Sequence, residues 1–223
     1  AGGTLDESSC VPLKLDEATQ QWVKARLTRP AAMSRLQVWR ALKKRLYHYD
    51  AGVIAFKGFS RNFLLSTAHW ELLLLPNLQR SPAKALDVGA GDGSLTLPYR
   101  HLFSRVITTE LTSPLVHRLR ELNFEAYVTA ELKSEHLGGQ AQFDALFILN
   151  VLDRCKDPHT MLADAHMLLK EGGLLVVSVV LPALQSDAAS GEGSSQRRWR
   201  VTGLTFETAA ASLVSSLLVP SGY

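Results

Sequence analysis

The stretch Leu86-Asp87-Val88-Gly89-Ala90-Gly91-Asp92-Gly93 decides the fold. It starts as the end of an apolar run, Ala83 to Val88, passes through three alternate glycines, and leads into Ser94 to Phe103, which reads as a helix. A strand feeding a helix through a glycine-rich turn is the opening unit of a doubly wound parallel sheet. Gly89 and Gly91 let the backbone approach a ligand with no Cβ in the way, and Gly93 lets the helix pack closely on the strand. The ligand is then expected at the carboxyl end of the sheet.

Outward from this turn, short runs rich in β-branched residues alternate with helix-length amphipathic segments, the rhythm of βαβ units. Strands are expected at Ala83 to Val88, Arg105 to Thr109, Glu125 to Thr129, Phe143 to Leu149 and Leu174 to Val180. Helices are expected at Ser94 to Phe103, Pro114 to Leu122 and Pro158 to Leu169, with a weaker segment near Ala130 to Leu137. Upstream, Trp22, Val23 and Leu27, then Met33, Leu36, Trp39, Leu42 and Leu46, recur at helical spacing on either side of Pro30. Residues 50–60 read as a loop, Asn62 to Leu75 as another helix, Gln185 to Gln196 as a flexible surface loop and Thr205 to Leu218 as a last helix. The chain divides into an N-terminal helical extension, 1–80, and a Rossmann-like α/β domain, 81–223, with a flexible loop over 183–203.

Composition narrows the function classes. The 223 residues are 46% hydrophobic and 20% charged, which is ordinary globular usage and argues against disorder or a fibrous fold. The longest uncharged stretch, Thr208 to Tyr223, falls short of the roughly 18–20 apolar residues a membrane-spanning helix needs. A net charge of +3 is too mild to argue nucleic-acid binding. The two cysteines, Cys10 and Cys155, form neither a disulfide framework nor a CxxC site. The seven histidines show no HxxxH or HxH pair with a supporting acid, so no metal is expected. The chain starts at Ala1 with no basic-then-apolar leader, which reads as a fragment, a tagged chain or a processed form.

The chemistry lies in the turn and the acids around it. The spacing is GxGxG, and acids stand at Asp87 and Asp92. They would repel a dinucleotide pyrophosphate and attract a ligand carrying an ammonium and a sulfonium. S-adenosylmethionine has both. Glu110, at the end of the second strand, stands where a Rossmann-type sheet places the carboxylate that accepts the ribose hydroxyls. The plainer alternatives are a mere tight turn for the glycines, a solvated loop acid for Glu110 and a helix N-cap for Asp92. The fourth strand ends in Leu149-Asn150-Val151-Leu152-Asp153-Arg154-Cys155, which puts polar groups at the rim where substrate meets cofactor. Asn150 could equally be a strand-end cap, and Asp153 a salt-bridge partner of Arg154.

The run LNVLDRCKDP, with ALDVGAGDG, the TTEL segment at Thr108 to Leu111, VVLP at Val179 to Pro182 and Phe63-Leu64-Leu65-Ser66, resembles the DREV family. These methyltransferase-like proteins include a protein-histidine N-methyltransferase, and the likeness extends from about Trp22 to Pro182. It implies a class I methyltransferase fold. The activity implied is S-adenosylmethionine-dependent methylation of histidine at the π nitrogen, in protein motifs where two histidines flank a small residue. On this resemblance Asp87, Gly89 and Glu110 match cofactor-binding positions, while Asn150 and Asp153 match positions at the junction of cofactor and target. With Gly91 and Gly93 from the glycine turn, and Asn150, these are the expected cofactor-binding residues, and Asn150 and Asp153 the expected catalytic ones. Intracellular placement is implied, with endoplasmic reticulum and mitochondrion both open.

The family's pattern is departed from at the carboxyl end. The Ser/Gly-rich stretch is unlike the family, and the chain is expected to stop before the closing antiparallel strands, leaving them truncated. Three readings therefore stand: a protein-histidine methyltransferase, a methyltransferase for another protein or small-molecule acceptor, and an inactive binding protein of the same fold. Trp22 and Trp39 are expected to pack on apolar helix faces, Cys155 to be a small buried residue, and Arg197 to Arg200 to be a solvated loop.

Overall fold

A computed structural model describes residues 13–27, 62–79, 82–155, 157–180, 203 and 205–223. The helix expected between Met33 and Leu46, the 50–60 loop, the Ser/Gly-rich stretch, the Arg197 to Arg200 patch, Trp39, Cys10 and the last two residues of VVLP lie outside the described residues.

Five strands form one sheet: β1 (Lys84–Val88), β2 (Arg105–Glu110), β3 (Glu125–Val128), β4 (Phe143–Leu149) and β5 (Leu169–Ser178). Their order is β3-β2-β1-β4-β5, and every pairing among the described residues is parallel. The order reverses between β1 and β4, so a crevice opens beyond their carboxyl ends. This is a Rossmann-like α/β fold.

The helices are α1 (Glu17–Leu27), α2 (Thr67–Leu74), α3 (Ser113–Glu121), α4 (Pro158–Leu168) and α5 (Phe206–Leu213). Strand alternation sends side chains into two apolar layers. Leu86, Val88, Leu146 and Ile148 meet Leu162, Ala165 and Leu168 of α4 and Leu217 beyond α5. On the opposite face Ala85, Ala145 and Phe147 meet Trp70 of α2, Tyr99, and Val116 and Leu119 of α3. In that second layer Tyr99 stacks on Phe147 with centroids 4.1 Å apart, and Trp70 meets both edge-on.

Local chemistry fixes several ends. Asp157 caps α4 by accepting from the Thr160 N–H at 3.1 Å, with Pro158 in the first turn where no N–H is needed. The Ser66 hydroxyl oxygen caps α2 by accepting from the His69 N–H at 3.2 Å. The Asp16 carboxylate accepts from that Ser66 hydroxyl and from the Thr19 N–H at 2.8 Å, tying the start of α1 to the start of α2. Trp22 stacks on Phe63 at 5.4 Å across the same junction.

Four sequence expectations are corrected. Residues 94–99 form consecutive turns and only Arg100–Leu102 makes a 3-10 turn, so no α-helix follows the glycine motif. Pro98 is the reason: it has no N–H to donate and disfavours helical backbone at Leu97, leaving mixed bonds such as Leu97 N–H to Gly93 O and Leu102 N–H to Tyr99 O. β5 begins at Leu169 rather than Leu174, through an irregular register against β4. The last helix is α over Phe206–Leu213, then a π turn over Val214–Leu218 and a 3-10 turn over Val219–Ser221. The weak segment near 130–137 reduces to a 3-10 turn at Ser134–His136.

Candidate functional site

The crevice holds a cleft of about 440 Å³ whose walls include Gly89, Gly91, Asp92, Glu110, Asn150 and Arg154. Positive φ angles at Gly89 (67°), Gly91 (60°) and Gly93 (82°) turn the chain back on itself at the end of β1. Each glycine answers a different need. A Cβ on Gly89 would sit 2.7 Å from Val151 Cγ2, so this glycine lets the β4 rim close against the turn. A Cβ on Gly91 would meet nothing within 4 Å, which leaves that position open to the cleft. A Cβ on Gly93 would lie 3.1–3.2 Å from Leu119 and Leu122, so this glycine serves packing of α3 and the residue after it, not of the segment following the motif.

Glu110 ends β2 and spans the cleft floor. Its Oε2 accepts from the Gly91 N–H at 3.1 Å and its Oε1 from the Thr112 N–H at 3.0 Å, so it holds the glycine turn and the approach to α3 in fixed relation. Asp92 is 8% exposed, lines the cleft and accepts from the Ser94 N–H at 3.1 Å. Its carboxylate makes a local turn where a helix cap was the alternative.

Asp87 is turned away from the cleft. It is 1% exposed, and its Oδ2 accepts from the Thr96 hydroxyl at 2.5 Å and the Tyr99 hydroxyl at 2.7 Å inside the aromatic layer. Burial pushes its pKa up to about 6, against the lowering effect of those two donors and with a small contribution from the Glu110 charge. Asp87 therefore acts on the site from beneath, by anchoring the segment after the glycine turn.

At the end of β4, Asn150 takes a φ of 56°, a left-handed backbone that Asn tolerates better than most residues. Asp153 does not line the cleft, although its neighbours Arg154 and Cys155 do. Its Oδ2 lies 3.6 Å from Arg154 Nε, and its Oδ1 is buried with no hydrogen-bond partner among the described residues. Burial pushes the Cys155 thiol up to about 12, with the Asp157 charge adding to it, so this sulfur stays protonated and unreactive. Sequence reasoning passed over Thr96, Tyr99 and Ser178, whose hydroxyls fix Asp87 and Asn150. No local pattern announces them, since their partners stand 9 to 28 positions away.

A second cleft of about 540 Å³ lies at the opposite end of the sheet, around Arg100, Arg105 and Glu125. Arg105 pairs with Glu125 at 2.8 Å, Arg100 donates to the Leu122 and Asn123 carbonyls, and no motif residue is present.

Residues 5–223 match the DREV methyltransferases. The chain belongs to the DREV methyltransferase family. Among curated relatives of this DREV protein, a malonyl-[acyl-carrier protein] O-methyltransferase of Pseudescherichia vulneris is 26% identical over 127 residues, covering 56% of this chain and 50% of the relative. A ubiquinone biosynthesis O-methyltransferase of Xanthomonas axonopodis pv. citri (strain 306) is 29% identical over 108 residues, covering 46% and 45%. The chain thus spans about half the length of the curated relatives it matches. Among solved structures, DesVI of Streptomyces venezuelae aligns with a TM-score of 0.47 at 17% identity, over 60% of this chain and 58% of that one. Trans-methyltransferase CalH, in complex with SAH, aligns at 0.40 and 19%, over 50% and 35%.

The cofactor of this DREV protein is S-adenosylmethionine, and the cleft fits it. Asp92 and Glu110 suit its net positive charge, Gly91 leaves room at the turn, and Leu111, Leu115 and Met161 offer apolar wall.

Proposed function

We propose that this DREV family member methylates protein histidine at the π nitrogen, in short motifs where two histidines flank a small residue. The observation that carries the reading is the Asp153 carboxylate, next in sequence to Arg154 of the cleft wall, whose buried Oδ1 has no hydrogen-bond partner among the described residues. A buried acceptor without a donor costs about 1–3 kcal/mol, and an imidazole N–H is a donor that would relieve it.

When bound, S-adenosylmethionine supplies a methyl group on a positively charged sulfur. Gly89, Gly91 and Glu110 hold and orient the cofactor, and Asn150 stands at the junction with the target ring. Asp153 accepts the N–H of the τ nitrogen, which selects the tautomer whose π lone pair is free and steadies the positive charge that grows on the ring. No enzyme nucleophile is needed, and positioning carries most of the catalysis. The target must be neutral, so activity falls below about pH 6.5 as imidazole protonates.

A second reading is methyl transfer to an acidic acceptor, favoured by Arg154, whose exposed guanidinium (side chain 70% exposed) lies on the cleft wall. Labelled methyl transfer to a peptide with alternating histidines separates the two. Label on imidazole, lost in Asp153→Ala and Glu110→Ala, supports the first reading. Cofactor binding without label on any histidine peptide overturns it and leaves a different acceptor or an inactive binding protein.

A further inference from the structure

We infer that Ser178 is a positioning residue that fixes the Asn150 side chain so that it meets the cleft as a hydrogen-bond donor. The inference rests on the reading of this cleft as a methyltransferase site and assigns Asn150 its polarity there.

Ser178 is the last residue of β5 and pairs in register with Leu149, the last residue of β4. It grips the next residue twice. The Asn150 N–H donates to the Ser178 carbonyl at 2.9 Å, and the Ser178 hydroxyl donates to Asn150 Oδ1 at 2.7 Å. Both bonds fall where Asn150 leaves the strand at a φ of 56°. A residue turning out of regular backbone has several side-chain directions open to it, and the hydroxyl selects one.

Ser178 itself does not line the cleft, whereas Asn150 does. Its influence therefore passes through Asn150. With Oδ1 held toward the hydroxyl, the side chain is oriented so that the amide N–H groups on Nδ2 are the part of Asn150 turned to offer a ligand, even though Oδ1 keeps a second lone pair. That polarity suits acceptor atoms, such as the carboxylate of the cofactor's amino-acid end, and does not suit the N–H of a target imidazole. The division of labour at the β4 rim follows: Asn150 donates to the cofactor side, while Asp153 is the acceptor for the target.

Calorimetric titration of the full chain with S-adenosylmethionine tests this without any acceptor. Ser178→Ala should weaken cofactor binding about 5- to 10-fold, the range of one net hydrogen bond. Ser178→Thr, which keeps a hydroxyl at the strand end, should restore it. Asn150→Ala should cost more, and adding Ser178→Ala to it should cost nothing further, since the hydroxyl then has no side chain to hold. Asn150→Asp can still accept from Ser178 but cannot donate, and should bind as poorly as Asn150→Ala. Melting curves of Ser178→Ala and Ser178→Thr should stay near the wild type, because the strand pairing is untouched, whereas the variants carrying Asn150→Ala should melt lower, since Ala tolerates a φ of 56° less well than Asn. Losses that multiply in the double variant overturn the inference. So does failure of Ser178→Thr to rescue, wild-type affinity in Asn150→Asp, or unchanged affinity in Ser178→Ala. A wild-type chain that binds no cofactor overturns the methyltransferase reading and this inference together.

Discussion

Asp87→Asn should make the protein more stable at neutral pH, by an amount the structure sets. Burial raises the Asp87 pKa from 3.8 to about 6, a shift of about two units. At about 1.4 kcal/mol per unit, holding this carboxylate charged in the folded state costs about 3 kcal/mol above pH 6. Both hydroxyl donors, Thr96 and Tyr99, end on the same oxygen, so an amide oxygen in that place keeps both bonds while the charge is removed. The sign follows from the raised folded-state value. Between about pH 4 and pH 6 the folded protein holds a proton that the unfolded chain has released. The stability this group contributes is thus complete below about pH 4 and lost as the pH rises through about 6. The variant has no such loss.

Paired urea or thermal denaturation of both chains from pH 4 to pH 8 measures the gap. It should be small at pH 4 and reach about 2–3 kcal/mol by pH 7.5, or roughly 4–12 °C in melting temperature for a chain of this size. Asp16, Glu125 and Asp157, whose pKa values are lowered chiefly by hydrogen bonds, lose stability in acid in both chains alike and drop out of the difference. A gap that does not change with pH, or a variant less stable at pH 7.5, would refute the reasoning. Gain of stability from neutralising this acid would also mean that its charge is held at the fold's expense.

Two further outcomes follow from the same geometry. Gly91→Ala, whose Cβ meets no neighbour within 4 Å but sits at a φ of 60°, should cost about 1–2 kcal/mol of stability and a larger share of cofactor affinity, whereas Gly89→Ala adds a 2.7 Å clash with Val151 and should cost stability first; melting curves and calorimetry on the pair separate the two. Asp16→Ala should release α1 from α2 and speed amide exchange across residues 17–27; in the wild type the Ser66 and Thr19 bonds lower the Asp16 pKa to about 2, so this tie is intact above about pH 4 and is lost as the pH falls through about 2, which hydrogen-exchange mass spectrometry reads directly.

How much of the fold was legible depended on where each element's stability comes from. Phe143 to Leu149 is buried at every position, so an apolar run interrupted only by Asp144 announced it and its bounds were as expected. Ser94 to Phe103 has helical apolar spacing, but Pro98 breaks the bond ladder that spacing assumes. The early start of β5 was invisible for the opposite reason. Lys170, Glu171, Gly172 and Gly173 look like the end of a helix and a turn, yet Lys170 Nζ reaches Asp144 Oδ1 at 2.8 Å and Leu169 pairs with Phe143. Contacts 26 residues apart draw this polar segment into the sheet against its local preference.

At the site, position along the chain was legible and side-chain direction was not. Asp87 is the penultimate residue of β1, and the pleat sends it to the same face as Ala85, into the layer where Tyr99 stacks on Phe147. Glu110 is the last residue of β2, where the pleat no longer dictates direction and the carboxylate can turn back to the Gly91 N–H. Asn150 lies one residue past β4 and is free of the sheet, apart from the grip of Ser178. The working edge is thus built from residues at or just beyond the last strand pair, and the acid one step inside supports it from below. Substitutions at Glu110 and Asn150 should register first in ligand affinity, and those at Asp87 first in the pH dependence of folding, although a motif written as letters ranks all three alike.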